Sequence, residues 1–143
     1  MSYATSTDLV TRFGEPQLLL LADRDGDAVI DAAVVESAIG DASAIVDLHV
    51  RGRYAVPLTP VPAEIVVIVC DLTRRLLYSN ATEIPDSVLA ADKAAREQLR
   101  LIADGKVVLA VAPALPTDPG ASQLELQVSG PERQYTADKL AGY

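Results

Sequence analysis

At 143 residues the chain has room for one domain with its own core and too little for two of ordinary size. Half of the residues are hydrophobic, yet only six are aromatic (five Tyr, one Phe) and none is Trp, so the core must be aliphatic and alanine-rich, which suits closely packed helices. Twenty acidic against 12 basic side chains leave a net charge of −8, which disfavours nucleic-acid binding because phosphate contacts need a basic patch.

The single cysteine excludes an intrachain disulfide, and Cys70 falls in an apolar run where a thiol behaves as a small hydrophobe. The opening Met-Ser-Tyr-Ala-Thr-Ser-Thr has neither the basic start nor the apolar core of a secretory signal. No apolar run approaches the roughly 18 residues of a membrane-spanning helix. The expected setting is a reducing cytoplasm.

In chain order, Thr5 and Asp8 form a capping-box-like pair before Leu9, Val10 and Phe13, and Gly14 ends that short helix. Glu15-Pro16 starts another over Gln17 to Ala22. Its apolar run Leu18 to Leu21 is expected to be buried on most sides, plugging the end of the main helix pair. Asp23-Arg-Asp-Gly-Asp27 begins like a calcium-binding EF-hand loop, with aspartates at positions one, three and five and Ile30 at position eight. The frame then fails: position six is Ala28 rather than Gly, and position twelve is Val34 rather than the bidentate Glu. The reading favoured is a polar loop in which Gly26 makes the turn and Asp27 caps the next helix, with a cation site as the alternative.

The stretch Val29 to Ser79 organises the rest as a long helix, a proline-rich elbow and a second helix. Val35, Ala38, Ile39, Ala42, Ile45, Val46 and His49 recur at three- and four-residue spacings on one stripe. Glu36, Gly40, Asp41, Ser43 and Asp47 take the opposite, wet side. Pro57, Pro60 and Pro62 cannot continue a helix, and Pro62 suits the first position of the next one. Ile65-Val-Val-Ile-Val-Cys70 is strand-like by propensity. Ile65, Ile68, Val69, Leu72 and Leu76 nevertheless keep helical spacing as far as Ser79, so a buried helix is predicted.

A third helix is expected from a cap at Asp86 or Ser87 to about Ala103, with Leu89, Leu99 and Ile102 inward and Asp92–Arg96 and Lys93–Glu97 paired on its surface. Asp104-Gly105 stops it. Lys106 to Ala112 reads as extended, 113–122 as a linker, and Gln123 to Ser129 as an alternating strand with Leu124, Leu126 and Val128 on one face. Such a strand must pair in a hairpin or on another subunit's edge, and 131–143 is a possible arm. The fold class is therefore mainly α: a small helical bundle with two long antiparallel helices joined by a Pro-rich elbow, plus a C-terminal extended or β segment. Residues 1–112 form the helical domain and 123–143 the strand and arm.

Charge is unevenly placed. Seven carboxylates and one Arg lie between Asp23 and Asp47, whereas basic residues gather at Arg51/Arg53, Arg74/Arg75 and Arg96/Arg100. A chain with opposite patches can dock head to tail on copies of itself, although an ordinary solvated helix face explains any single run. Site chemistry is sparse. His49, the one histidine, sits on the apolar stripe as a core or hydrogen-bonded residue. A Cys70–His49 nucleophile pair lacks any elbow or oxyanion-loop signature. No enzymatic activity and no cofactor are expected.

Thr7-Asp-Leu-Val-Thr-Arg-Phe-Gly14, Asp23-Arg-Asp-Gly-Asp27, Arg51-Gly-Arg-Tyr54 with Pro57-Leu58 and Pro62, Cys70-Asp71-Leu72 and Ile102-Ala-Asp-Gly-Lys-Val107 together resemble the Mu-like phage and prophage family of small virion proteins. The resemblance spans roughly residues 3 to 110, is most specific at Gly52 to Leu58, and extends to the C-terminal tail. Arg74-Arg75 stands where members often carry an aromatic. That family is similar to head-completion or head–tail adaptor proteins, small helical bundles that form a ring beneath the portal. The resemblance thus implies a virion protein of the phage neck, with copies of itself, the portal protein and a tail-terminator or neighbouring connector protein as partners, and DNA passing through without specific binding. Arg51, Arg53, Tyr54, Arg74, Arg75, Leu124, Leu126 and Val128 are the candidate subunit or partner interface, and Asp31, Asp41 and Asp47 the candidate channel face. A non-virion helical module that binds another protein is the alternative.

Overall fold

The structure is a computed structural model that describes residues 1–81 and 83–111. Leu124, Leu126 and Val128, with the rest of the proposed linker, strand and arm, lie outside the described residues. Among those described there are five α-helices and no strand: α1 Ser6–Phe13, α2 Glu15–Ala22, α3 Ala32–Val50, α4 Ala63–Leu77 and α5 Asp86–Ala103, with a 3-10 turn at Tyr78–Asn80 after α4.

The two short helices are set by their ends. Thr5 caps α1 in a complete capping box: its hydroxyl accepts from the Asp8 backbone N–H, and the Asp8 carboxylate accepts from the Thr5 N–H at 2.8 Å. Gly14, at φ +85°, ends α1 and begins α2, where Pro16 occupies the first turn, its missing N–H one that has no helical partner anyway. The two-turn α2 buries Leu18 and Ala22, four residues apart on one face. Leu20, rotated about 200° from Leu18 at 100° per residue, is 79 % exposed, so the expectation that Leu18 to Leu21 all plug the core is corrected.

Three long helices make the body, with α4 packed against both α3 and α5, and α1 laid across α3 and α4. Along the α3 stripe Val35, Ala38, Ile39, Ala42 and Val46 are buried as their spacing predicts, while Ile45 and His49 are half-buried. Its wet side is narrower than expected, because Ser43 is also buried and Asp47 half-buried. The Ser43 hydroxyl donates to the Ile39 carbonyl (2.8 Å) and accepts from the Tyr3 N–H (3.1 Å), which lets a polar group sit in the core. The N-cap of α3 is Asp31, accepting from the Ala33 N–H at 3.2 Å, and not Asp27.

The β-branched run is helix, as its periodicity indicates. Ile65, Ile68, Val69, Cys70, Leu72, Thr73 and Leu77 are all buried between neighbouring helices. Burial of such side chains is worth ~1.5–3 kcal/mol each, which outweighs a propensity cost below ~1 kcal/mol per residue. Pro62 stands at the cap position with extended backbone rather than inside the helix. In α5 the cap position is Pro85 and no side chain caps it, in place of the expected Asp86 or Ser87. Val88, Ala95, Leu99 and Ile102 face inward along one stripe. Leu89, one residue off that stripe, is 42 % exposed, correcting its inward placement. Arg96 pairs with Asp92 as expected (3.0 Å), while Glu97 faces Arg100 at 3.8 Å rather than Lys93.

Gly105, at φ +76°, closes α5: its N–H reaches the Ile102 carbonyl and the Lys106 N–H the Leu101 carbonyl. Residues 106–111, expected to be extended, take irregular backbone without ladder partners among the described residues.

Candidate interaction surfaces

The elbow after α3 is fastened from both sides by tyrosines. Arg51 is the C-cap of α3, and the Arg53 and Tyr54 N–H groups close on the Val50 carbonyl. Tyr54 turns inward, 3 % exposed, and its hydroxyl accepts from the Leu109 N–H at 2.9 Å. Leu58 is buried, and its N–H donates to the Tyr3 hydroxyl at 3.0 Å. That hydroxyl in turn donates to the Asp47 carboxylate on α3. Burial and the Asp47 hydrogen bond push the Tyr3 phenol up to about 12. Two remote segments, the N-terminus and the chain after α5, are thus tied to one elbow.

This places the expected interface residues differently. Tyr54 is a core anchor and not part of a surface. Arg51 and Arg53 are exposed, and among the described residues neither makes an ion pair. The Arg53 guanidinium lies so close over Gly105 that a Cβ there would meet it, which puts its charge beside the carbonyl end of α5. Arg74 covers the Phe13 ring at 4.8 Å, a cation stacked on the ring. Arg75 is half-buried on the same turn. These two do not join Arg51 and Arg53 in a single patch, since they sit in the last turn of α4, at the end of the bundle where α3 begins.

The three channel-face aspartates have separate duties. Asp31 caps α3, Asp47 is held by Tyr3, and Asp41 stands exposed beside Ser37 and Arg24 in an open groove.

The loop between α2 and α3 is built on its own aspartates. Asp23 accepts from the Gly26 N–H (2.7 Å) and the Ala28 N–H (3.1 Å), and Asp27 from the Val29 N–H (2.9 Å). Gly26 at φ +79° makes the turn as read from sequence, and Ala28 also adopts a left-handed φ of +62°. Asp23, Asp25 and Asp27 can bring carboxylate oxygens within 4.8 Å of one another. The Gly and Glu of a calcium loop remain missing from their frame positions, so the donor set fits that geometry poorly.

His49 and Cys70 are kept apart by role. The His49 Nδ1 meets the Ile45 carbonyl at 2.8 Å on its own helix. Cys70 is buried in α4, where desolvation pushes its thiol up to about 11. Sequence reasoning missed Tyr3, whose position near the chain start gives no periodic signal. It also missed Val107 and Val108, which are 44 % and 74 % exposed at the end of the bundle where Arg53 lies.

Among the described residues no helix is long and apolar enough to cross a membrane. A family model described as Bacteriophage Mu, Gp36 matches residues 3–128. Over 121 residues the chain is 31 % identical to gene product J of Escherichia phage Mu, which covers 84 % of this chain and 77 % of that relative. The family match takes in all five helices, the aspartate loop and the elbow. The chain belongs to the bacteriophage Mu Gp36 family.

Proposed function

We propose that this chain is a structural virion protein of the head–tail connector, an adaptor or head-completion subunit that assembles with copies of itself into a ring beneath the portal. The observation that carries the reading is the family match over residues 3–128, laid on a small α-helical bundle, the form expected of an adaptor subunit. The role is mechanical and not enzymatic. The portal protein is the partner on one side and a tail-terminator or neighbouring connector protein on the other. DNA passes through without specific binding, in keeping with a net charge of −8.

Quantitative mass spectrometry of purified virions, scaled to the portal protein, tests this. Copies equal to the portal's support a connector ring. Absence from the particle overturns it and turns attention to a non-virion binding module.

A further inference from the structure

The helix α3 separates two ends of opposite charge. Its 19 residues span about 28 Å at 1.5 Å per residue. Before it lies the segment 23–31, with four aspartates against Arg24, a net of −3. After it lie Arg51 and Arg53, brought beside the end of α5 by the Arg53–Gly105 contact and the Tyr54–Leu109 hydrogen bond. Arg51, Arg53, Arg100 and Lys106, against Glu97 paired with Arg100 and Asp104 paired with Lys106, give that end a net of +2.

Each end also shows apolar surface. Val29 is 61 % and Leu20 79 % exposed at the acidic end, where Leu20 shares a groove with Asp23 and Arg24. Val107 and Val108 are exposed at the basic end, next to Lys106. Apolar contact joined to complementary charge is how specific interfaces are built, and here the segment 23–31 and the Arg51/Lys106 end oppose in sign, with Arg74 and Arg75 of α4 at the acidic segment's end of the bundle.

From this complementarity we infer that the acidic 23–31 end of one copy docks on the Arg51/Lys106 end of the next, a heterologous contact that brings Val29 and Leu20 against Val107 and Val108. The occupant of each surface is a second copy of this chain. Head-to-tail contacts of this type close into a ring when the rotation permits and otherwise run on as a filament. The inference rests on the ring reading above and names the surfaces that would form it. The aspartates are suited to this because their backbone hydrogen bonds use part of each carboxylate while leaving its charge without a cation among the described residues.

Two charge-reversed full-length chains test it. One carries Arg51→Glu and Lys106→Glu, so both its ends are acidic. The other carries Asp25→Lys and Asp27→Lys, so both are basic. Wild type at high concentration and low salt should self-associate in sedimentation velocity and dissociate as salt screens the opposed charges. Each variant alone should lose self-association by more than about tenfold while keeping the wild-type melting transition, since like charges then face each other. An equimolar mixture should assemble again, with the two chains alternating. A wild-type chain that stays monomeric, a single variant that assembles like wild type, or a mixture that stays monomeric overturns the inference. The virion copy number is independent of these results: a chain present at the portal's count that fails here remains a connector subunit docked through other surfaces.

Discussion

Two connectors flank α3, and they are held in opposite ways. The elbow over 51–62 is anchored to distant chain, through Leu58 in the core and the hydroxyls of Tyr3 and Tyr54, each of which takes an N–H from 55 residues away. The aspartate loop over 23–31 is held chiefly by itself, through carboxylates that accept from N–H groups two to five residues on. A connector anchored in the core contributes to stability and cannot change without disturbing the fold. One that satisfies its own backbone leaves its outer surface open to a partner.

Substitutions should separate the two. Leu58→Ala removes a side chain that is 1 % exposed and should cost about 3 kcal/mol, read as a loss of midpoint in denaturant unfolding. A cost below ~1 kcal/mol would mean that the elbow is not part of the core. Tyr3→Phe leaves the buried Leu58 N–H without its acceptor and Asp47 without its donor, and should cost about 1–2 kcal/mol. Tyr54→Phe, which strands only the Leu109 N–H, should cost about 1 kcal/mol. Thr5→Ala, a lost N-cap away from both connectors, should also cost about 1 kcal/mol. In the loop, Asp25→Asn with Asp27→Asn should change stability by less than ~0.5 kcal/mol, because the amide oxygens can still accept the local hydrogen bonds. A large loss there would erase the contrast.

Alkaline pH sharpens the same comparison. The Tyr3 phenol is raised from 10.0 to about 12 and the Cys70 thiol from 9.0 to about 11, each chiefly by burial. Both groups hold their proton more tightly folded than unfolded, so their contribution is complete below pH 9 and falls away between about pH 9 and 12. Tyr3→Phe should flatten the upper part of that decline. An identical decline in the variant would mean that the Tyr3 hydroxyl does not link the elbow to α3.

Much of this fold is legible in the sequence because it rests on periodicity and caps. The α3 stripe, the helical reading of Ile65 to Cys70, the Thr5–Asp8 box and the Gly14, Gly26 and Gly105 turns are all where local rules place them. Local rules also place Leu20 and Leu89 inward, and both fail for one reason: hydrophobicity does not say which side of a short or narrow-striped helix a neighbour covers. Tyr3, Asp47 and Tyr54 are illegible for another. Their roles arise from contacts across 44 or 55 residues, which no spacing within a window can show. The candidate surfaces were half visible: the opposed charges were plain, whereas bringing Arg53 beside Lys106, and Val107 with Val108, needed the close of α5 on the elbow.

Asp31 and Asp41 are both exposed on α3, and Asp41 is the one whose charge can be changed in the connector reading without removing the helix cap. Asp41→Lys should slow DNA ejection without changing the melting transition, and an unchanged ejection rate would remove its channel-wall role.

Hydrogen exchange on the chain, free and inside the intact virion, tests the account most directly. It should show new protection at 24–29 and at 51–53 with 106–108, where bonded amides lie at the exposed surface, upon assembly, while the amides of the buried Leu58 and Leu109 stay as they are. Exchange unchanged at both ends, or protection gained evenly across the helices, would contradict it.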